Sequence, residues 1–130
     1  QCTPCHVFAV AIEVGPGPAQ AAQACAFAQR ILRGAGAWAW NEAAVAWQCN
    51  EVDLVYQGQP LRLDRLVRRR DAGHEGHWWV LDYKSAAAPE QQAALLAQMR
   101  AYRSAVQLIY AEATVKAAFL TGLGTMVELT

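Results

Sequence analysis

The segment Val80-Leu81-Asp82-Tyr83-Lys84-Ser85 places an aspartate and a lysine two residues apart. Side chains alternate along a strand, so Asp82 and Lys84 share one face while Trp79, Leu81 and Tyr83 take the other and can enter a core. A charged pair on an otherwise apolar strand is anomalous, because burying a charge without a partner costs several kcal/mol. A bound cation would resolve it by pairing the aspartate. Leu63-Asp64-Arg65 repeats the anomaly one strand earlier, with Asp64 out of phase with Leu61, Leu63 and Val67. If segments 61–68 and 77–84 pair, Asp64 and Asp82 converge near one end of a sheet. Two carboxylates with water form an all-oxygen site suited to Mg²⁺ or Mn²⁺. Such an ion can activate water and offset the charge of a phosphodiester. Lys84 would stabilise the attacking hydroxide or the transition-state phosphate. An Asp-x-Lys alone also fits a surface ion pair. The second aspartate, the apolar alternation around both and the helix that follows lift it above that reading.

The elements that must position these residues can be read from the spacing of apolar side chains. Residues 1–16 have no period and run into the breaker Gly15-Pro16-Gly17-Pro18, so 1–17 reads as a loosely ordered N-terminal segment. Pro18 to Arg33 reads as a helix, with Pro suited to its first turn and Gly34 to its end. The stretch 35–47, with Trp38, Trp40 and Trp47, is ambiguous and fits a short helix running into a strand. Glu51 to Tyr56 alternates, Gln57-Gly58-Gln59-Pro60 is a turn, and Leu61 to Arg68 alternates again with Leu61, Leu63 and Val67 on one face. Asp71 to Gly76 reads as a polar loop and His77 to Lys84 as a third strand, completing a meander. A helix of about 20 residues follows Pro89, carried by Leu95, Leu96, Met99, Tyr102, Val106 and Ile109. Val115 to Leu120 and Met126 to Leu129 close the chain as strands around a Thr121-to-Gly124 turn. The expectation is one α/β domain over 1–130: a mixed sheet containing a three-stranded meander, flanked by helices.

Composition narrows the function. Lys+Arg and Asp+Glu are both 11, so any anion-binding surface must be local. Arg62, Arg65, Arg68, Arg69 and Arg70 cluster beside Asp64 and form a candidate phosphate-holding patch. No phosphate-binding loop of the G-x-x-x-x-G-K-[ST] type occurs, which argues against an ATPase. No apolar run approaches the roughly 18 residues of a membrane span, and no basic-then-apolar leader precedes Val7 to Ile12, so a cytoplasmic location is expected. Four cysteines are too few and too unevenly spaced for a disulfide framework. Cys2-Thr3-Pro4-Cys5-His6 does match C-x-x-C-H, the haem attachment motif of c-type cytochromes, with Met99 or Met126 as an axial candidate.

Asp64, 17 further residues, and then Asp82-Tyr83-Lys84 resembles the D…(D/E)-x-K signature of PD-(D/E)XK nucleases. More narrowly, Arg62 to Leu66 with Trp79 to Ser85 is similar to the RecB-like nuclease at the C-terminus of bacterial UvrD-like helicase–nucleases. Gln98-Met99-Arg100-Ala101-Tyr102 matches that family's Q-x-x-x-Y element. The resemblance covers roughly residues 38–130. It implies a restriction-endonuclease-like core and a divalent-metal DNA nuclease of recombinational repair, either a fragment or a stand-alone relative of a helicase–nuclease. On this resemblance Asp64 and Asp82 are metal ligands, Lys84 is the catalytic lysine and the Tyr83 carbonyl is an extra ligand. Glu51 matches an acidic position near the metal. Gln98 and Tyr102 face the site and position DNA, as Arg62 and Arg65 also would. The family usually carries a histidine ligand on its first helix. The helix at 18–33 has none, which leaves His6 as the upstream candidate. A non-catalytic DNA-binding module of the same fold is the alternative, and a helicase motor domain or subunit is the implied partner.

Overall fold

The structure, a computed structural model, describes residues 18–71 and 74–130. The N-terminal segment expected to be loosely ordered, with His6 and the C-x-x-C-H motif, lies outside the described residues.

Helix α1 spans Pro18–Arg33. Its alanine-rich sequence favours the helix, and Arg30 and Arg33 in the last turn complement the negative end of its dipole. Phe27, Ala28 and Ile31 are buried against the sheet. Full burial of side chains the size of Phe27 and Ile31 stabilises the fold by about 1.5–3 kcal/mol each. A short 3₁₀ turn, Ala37–Trp40, then delivers the chain to the first strand.

Five strands follow: β1 (Val45–Tyr56), β2 (Gln59–Asp71), β3 (His74–Lys84), β4 (Val115–Thr121) and β5 (Met126–Glu128). They lie in sequence order, with β3 and β4 parallel and the other pairs antiparallel. The result is the expected α/β arrangement, a mixed sheet with a three-stranded meander. The β1–β2 turn is the two residues Gln57 and Gly58, both at positive φ (51° and 76°), as a tight hairpin of matching twist demands. The parallel β3–β4 pair needs a crossover, and helix α2 (Ala93–Ile109) supplies it.

Helices α1 and α2 cover opposite faces of the sheet. Phe27, Ala28 and Ile31 of α1 pack with Val67, Trp79, Leu81, Tyr83 and Leu120. Met99, Tyr102 and Val106 of α2 pack with Leu63, Leu66, Trp78, Val80 and Phe119. No helix among the described residues is long and apolar enough to cross a membrane.

Three expectations need correction. The polar loop assigned to 71–76 is shorter, because β2 and β3 extend into it and Asp71 pairs with His74. The helix expected from Pro89 is divided. Pro89–Gln91 is a 3₁₀ turn, and Gln92 is extended (φ −103°, ψ 112°) before α2 begins at Ala93. Leu61, Leu63 and Val67 do not share a face: Leu61 and Leu63 belong to the α2 side and Val67 to the α1 side.

The last correction has a local cause. Leu63 and Leu66 sit in the same core layer although they are three positions apart, so strict alternation fails between them. The β1–β2 register runs Asn50↔Arg65, then Val52↔Leu63, skipping Glu51 and Asp64. Glu51 stands at φ 53° in this irregularity.

The end of α1 is fixed by glycine. A Cβ on Gly34 would run into the carbonyl oxygen of Gly124 in the β4–β5 turn. Gly34→Ala is therefore expected to lower stability by about 1–3 kcal/mol, the usual cost of overpacking. Urea denaturation measures it, and a midpoint equal to that of the parent chain would show that the contact relaxes freely.

Candidate active site

The β2–β3 ladder ends at Arg65↔Leu81. The next pair in that register, Asp64 and Asp82, does not continue it, and here the strands part. On β3 the Tyr83 N–H faces the gap and donates to Oδ2 of Asp64 at 2.9 Å. The carboxylate thereby replaces a missing ladder acceptor. The slip in β2 turns Asp64 to the α2 side, where Asp82 follows Trp78 and Val80 along the same face of β3. The two carboxyl groups are near enough for Asp82 to raise the proton affinity of Asp64. Lys84 is two residues further on, its Nζ 2.9 Å from Oδ2 of Asp82. Asp82 is buried, at 4% exposure, whereas the lysine side chain is 24% exposed and open to an incoming ligand.

The electrostatics follow from this crowding. Burial, then the hydrogen bond and negative charge of Asp82, push the Asp64 carboxyl up to about 8, while the Tyr83 N–H and Lys84 pull the other way. Tyr102 projects from α2 into the same region. Burial and then the charges of Asp82 and Asp64 push its phenol up to about 12. Burial holds the Tyr83 phenol well above its ordinary value. A bound cation would displace the proton from Asp64, and the site would then set two carboxylates against one ammonium. That all-oxygen donor set with excess negative charge fits a hard divalent cation.

The remaining sequence candidates are placed differently. Gln98, one turn before Tyr102 on α2, is exposed, while Tyr102 is at once a core residue and a neighbour of the carboxylates. Glu51 is exposed and does not join the pair. Among the described residues no group of three His, Cys, Asp or Glu side chains is placed to hold a metal ion. His6 lies outside the described residues.

The arginine patch divides. Arg65 is 2% exposed and turned to the α1 side, away from Asp64. Its guanidinium donates to Asn50 Oδ1 at 2.7 Å, to the Ala39 carbonyl at 2.6 Å and to Gln48 Oε1, and lies 4.5 Å from the Trp40 ring centre. A phosphate cannot reach it there, which corrects the expected DNA-binding role. Arg62 is exposed and paired with Asp53 at 2.9 Å. Arg68 lies over Trp78, Arg69 over Trp38, and Arg70 donates to the Val45 carbonyl. The consecutive arginines point to alternate faces of one strand, so they do not form a single patch. The axial candidates for haem are likewise engaged in packing. Met99 is 1% exposed in the core, and the Met126 sulfur accepts the Trp38 indole N–H at 3.4 Å.

Sequence reasoning missed the Asp64–Tyr83 backbone hydrogen bond, and no residue pattern announces it. The nearest signal was Asp64 itself, a short acceptor where the alternation fails.

Comparison with known proteins bears on the same residues. The family model described as the PD-(D/E)XK nuclease superfamily matches residues 6–126. The mixed sheet with its flanking helices agrees with the restriction-endonuclease-like core of such proteins. No curated protein matches the chain.

Asp64 gives a pH signature. Its value in the fold, about 8, lies above its ordinary 3.8, so the folded chain keeps a proton that the unfolded chain releases. Its contribution to stability is complete below about pH 4 and is lost as pH rises through about 8. In chelator, the denaturation midpoint is expected to fall across that window, and Asp64→Asn is expected to flatten the fall. An equal slope in parent and variant would remove Asp64 as its source.

Proposed function

The chain belongs to the PD-(D/E)XK nuclease superfamily, and on that premise we propose that it hydrolyses DNA phosphodiesters with a divalent metal ion, Mg²⁺ or Mn²⁺. The observation that carries this reading is the meeting of the Asp64 and Asp82 carboxyls with the Lys84 ammonium 2.9 Å from Asp82. Asp64 and Asp82 would hold the cation. The Tyr83 carbonyl is a further candidate, because an extended residue sends its N–H and C=O to the same side of the strand, here toward Asp64. The bound cation supplies charge neutralisation at the phosphate and a lowered pKa for water.

The chain's own groups do the rest. The Tyr83 N–H fixes Asp64, so the carboxylates are aimed before substrate arrives. Lys84, balanced against Asp82, offers the remaining N–H donors of its ammonium to a phosphate oxygen or to the attacking water. Tyr102 walls the site on the α2 side, and its phenol stays protonated at neutral pH as a donor. Gln98 on the exposed side of α2 and Arg62 at the surface are the side chains proposed to meet the DNA backbone.

The finer reading is a RecB-like nuclease of recombinational repair that works in the cytoplasm with a helicase motor domain or subunit. The Asp64…Asp82-Tyr83-Lys84 spacing followed by Gln98 and Tyr102 supports it. One observation favours a non-catalytic DNA-binding module instead: among the described residues no third acidic or histidine side chain joins Asp64 and Asp82.

Cleavage of linear single- and double-stranded DNA with Mg²⁺ or Mn²⁺ separates the two readings. Asp82→Ala and Lys84→Ala are each expected to slow cleavage by about a hundredfold or more while circular dichroism stays native. Full activity in either variant overturns the assigned roles. A parent chain that binds DNA without cutting it supports the non-catalytic module.

A further inference from the structure

Trp47 is a large aromatic side chain left 44% exposed on β1. Its ring is not loose. It meets Trp78 edge-on, with centroids 5.5 Å apart and an interplanar angle of 63°. Trp78 is buried, stacked on Tyr110 at 4.1 Å and 10°, with the Arg68 guanidinium 5.7 Å from its ring centre. Tyr110 caps the C-terminus of α2. Folding has used Trp78 and Tyr110 to brace a ring whose remaining surface still faces solvent.

The register relates this cluster to the carboxylates. Trp47, Arg68 and Trp78 form one row across β1, β2 and β3, and Cys49, Leu66 and Val80 form the second row along. Trp78 and Val80 both face α2, and Asp82 comes next in that alternation. Trp47 thus lies on the sheet face that carries Asp82, and Asp82 is four positions along β3 from the Trp78 row, about 13 Å at ~3.3 Å per residue.

A recess of about 390 Å³ opens beside the cluster, lined by Arg68, Trp78, Tyr110, Glu112 and neighbouring alanines. This size is ordinary for a small-ligand site. Its chemistry suits a base better than a phosphate. The exposed part of the Trp47 ring offers the stacking surface, and the stacked Trp78–Tyr110 pair with Arg68 forms the wall beside it. The Glu112 carboxylate would repel a phosphate but can accept a hydrogen bond from the exocyclic amine of adenine or cytosine.

We propose that Trp47 and the adjoining recess form an accessory site that stacks an unpaired base of the strand being cut, a few nucleotides from the scissile phosphate. This rests on the reading of the chain as a DNA nuclease and adds a preference for unpaired strands. A base inside a duplex is already stacked on its neighbours, so a protein ring gains by meeting only a free one.

The test uses the full chain carrying Asp82→Ala, so that substrate survives, with a fluorescent deoxyadenosine dodecamer and a blunt duplex as probes of anisotropy. Trp47→Leu keeps apolar bulk and removes the flat ring, whereas Trp47→Phe keeps a ring. Leucine is expected to weaken single-strand binding about tenfold and phenylalanine by less than about threefold, with duplex affinity changing less than about twofold. Leucine binding the single strand as tightly as tryptophan overturns the proposal. So does a parallel loss on the duplex, or no single-strand binding by any form. Conversion of a dimer to monomers by Trp47→Leu in sedimentation also overturns it, because the ring then belongs to a contact between copies. Cleavage by the chain with Asp82 restored is scored separately. Strand binding through Trp47 without cutting upholds the stacking site and rejects the nuclease, and cutting indifferent to Trp47 does the reverse.

Discussion

Where β2 leaves the ladder, the Tyr83 N–H loses the backbone acceptor that continued pairing would have given it, and the Asp64 carboxylate takes that place. A buried N–H left without a partner costs about 1–3 kcal/mol, so the aspartate is held by the demands of the sheet itself. Every feature of the site follows from this substitution. The break in alternation at Asp64 leaves it on the side of Asp82, and the alternation of β3 brings Lys84 to the same side. The carboxylates are crowded together before any cation arrives, and the raised proton affinity of Asp64 records that crowding.

The opposite face explains how the slip is tolerated. Arg65 follows Asp64 directly and buries its guanidinium among Asn50, Gln48, the Ala39 carbonyl and the Trp40 ring. It thereby ties β1 and the 3₁₀ turn to β2 beside the irregularity. Trp40 in turn stacks on Tyr83 with centroids 6.2 Å apart, which links this tie to the strand that bears Asp82 and Lys84. The charge of Arg65 suggests a phosphate contact. Burial decides otherwise, since a buried guanidinium that donates to Asn50, Gln48 and the Ala39 carbonyl and lies against the Trp40 ring is a structural clamp.

Much of the architecture was legible in the sequence because it rests on periodicity. Helix α1, the tight turn at Gln57–Gly58 and the closing pair around Gly124 lie near their expected bounds, whereas β1 begins at Val45, six residues before the expected Glu51. Trp79, Leu81 and Tyr83 enter the core as alternation requires. The failures have local causes. A proline and an extended Gln92 split the helix expected from Pro89. The ladder extends through polar residues toward 72–73 because backbone pairing is indifferent to side-chain polarity. Val67 fell on the wrong face because the irregularity at Glu51 and Asp64 shifts the alternation by one residue, and nothing in composition marks that point. The proximity of Asp64 to Asp82 was readable from spacing alone. The means of holding it, a side chain standing in for a backbone carbonyl, was not.

Glu51 carries the residue of that geometry. A non-glycine side chain at φ 53° is strained by about 1–2 kcal/mol. Glycine would remove the strain, and a search for heat tolerance would select it on those grounds. It would also soften the kink opposite Asp64 and widen the range of directions in which that carboxylate points. The relieved strain is set against the conformational entropy that glycine loses on folding, about 0.5–1 kcal/mol, so durability and sharpness of aim meet at the same backbone joint.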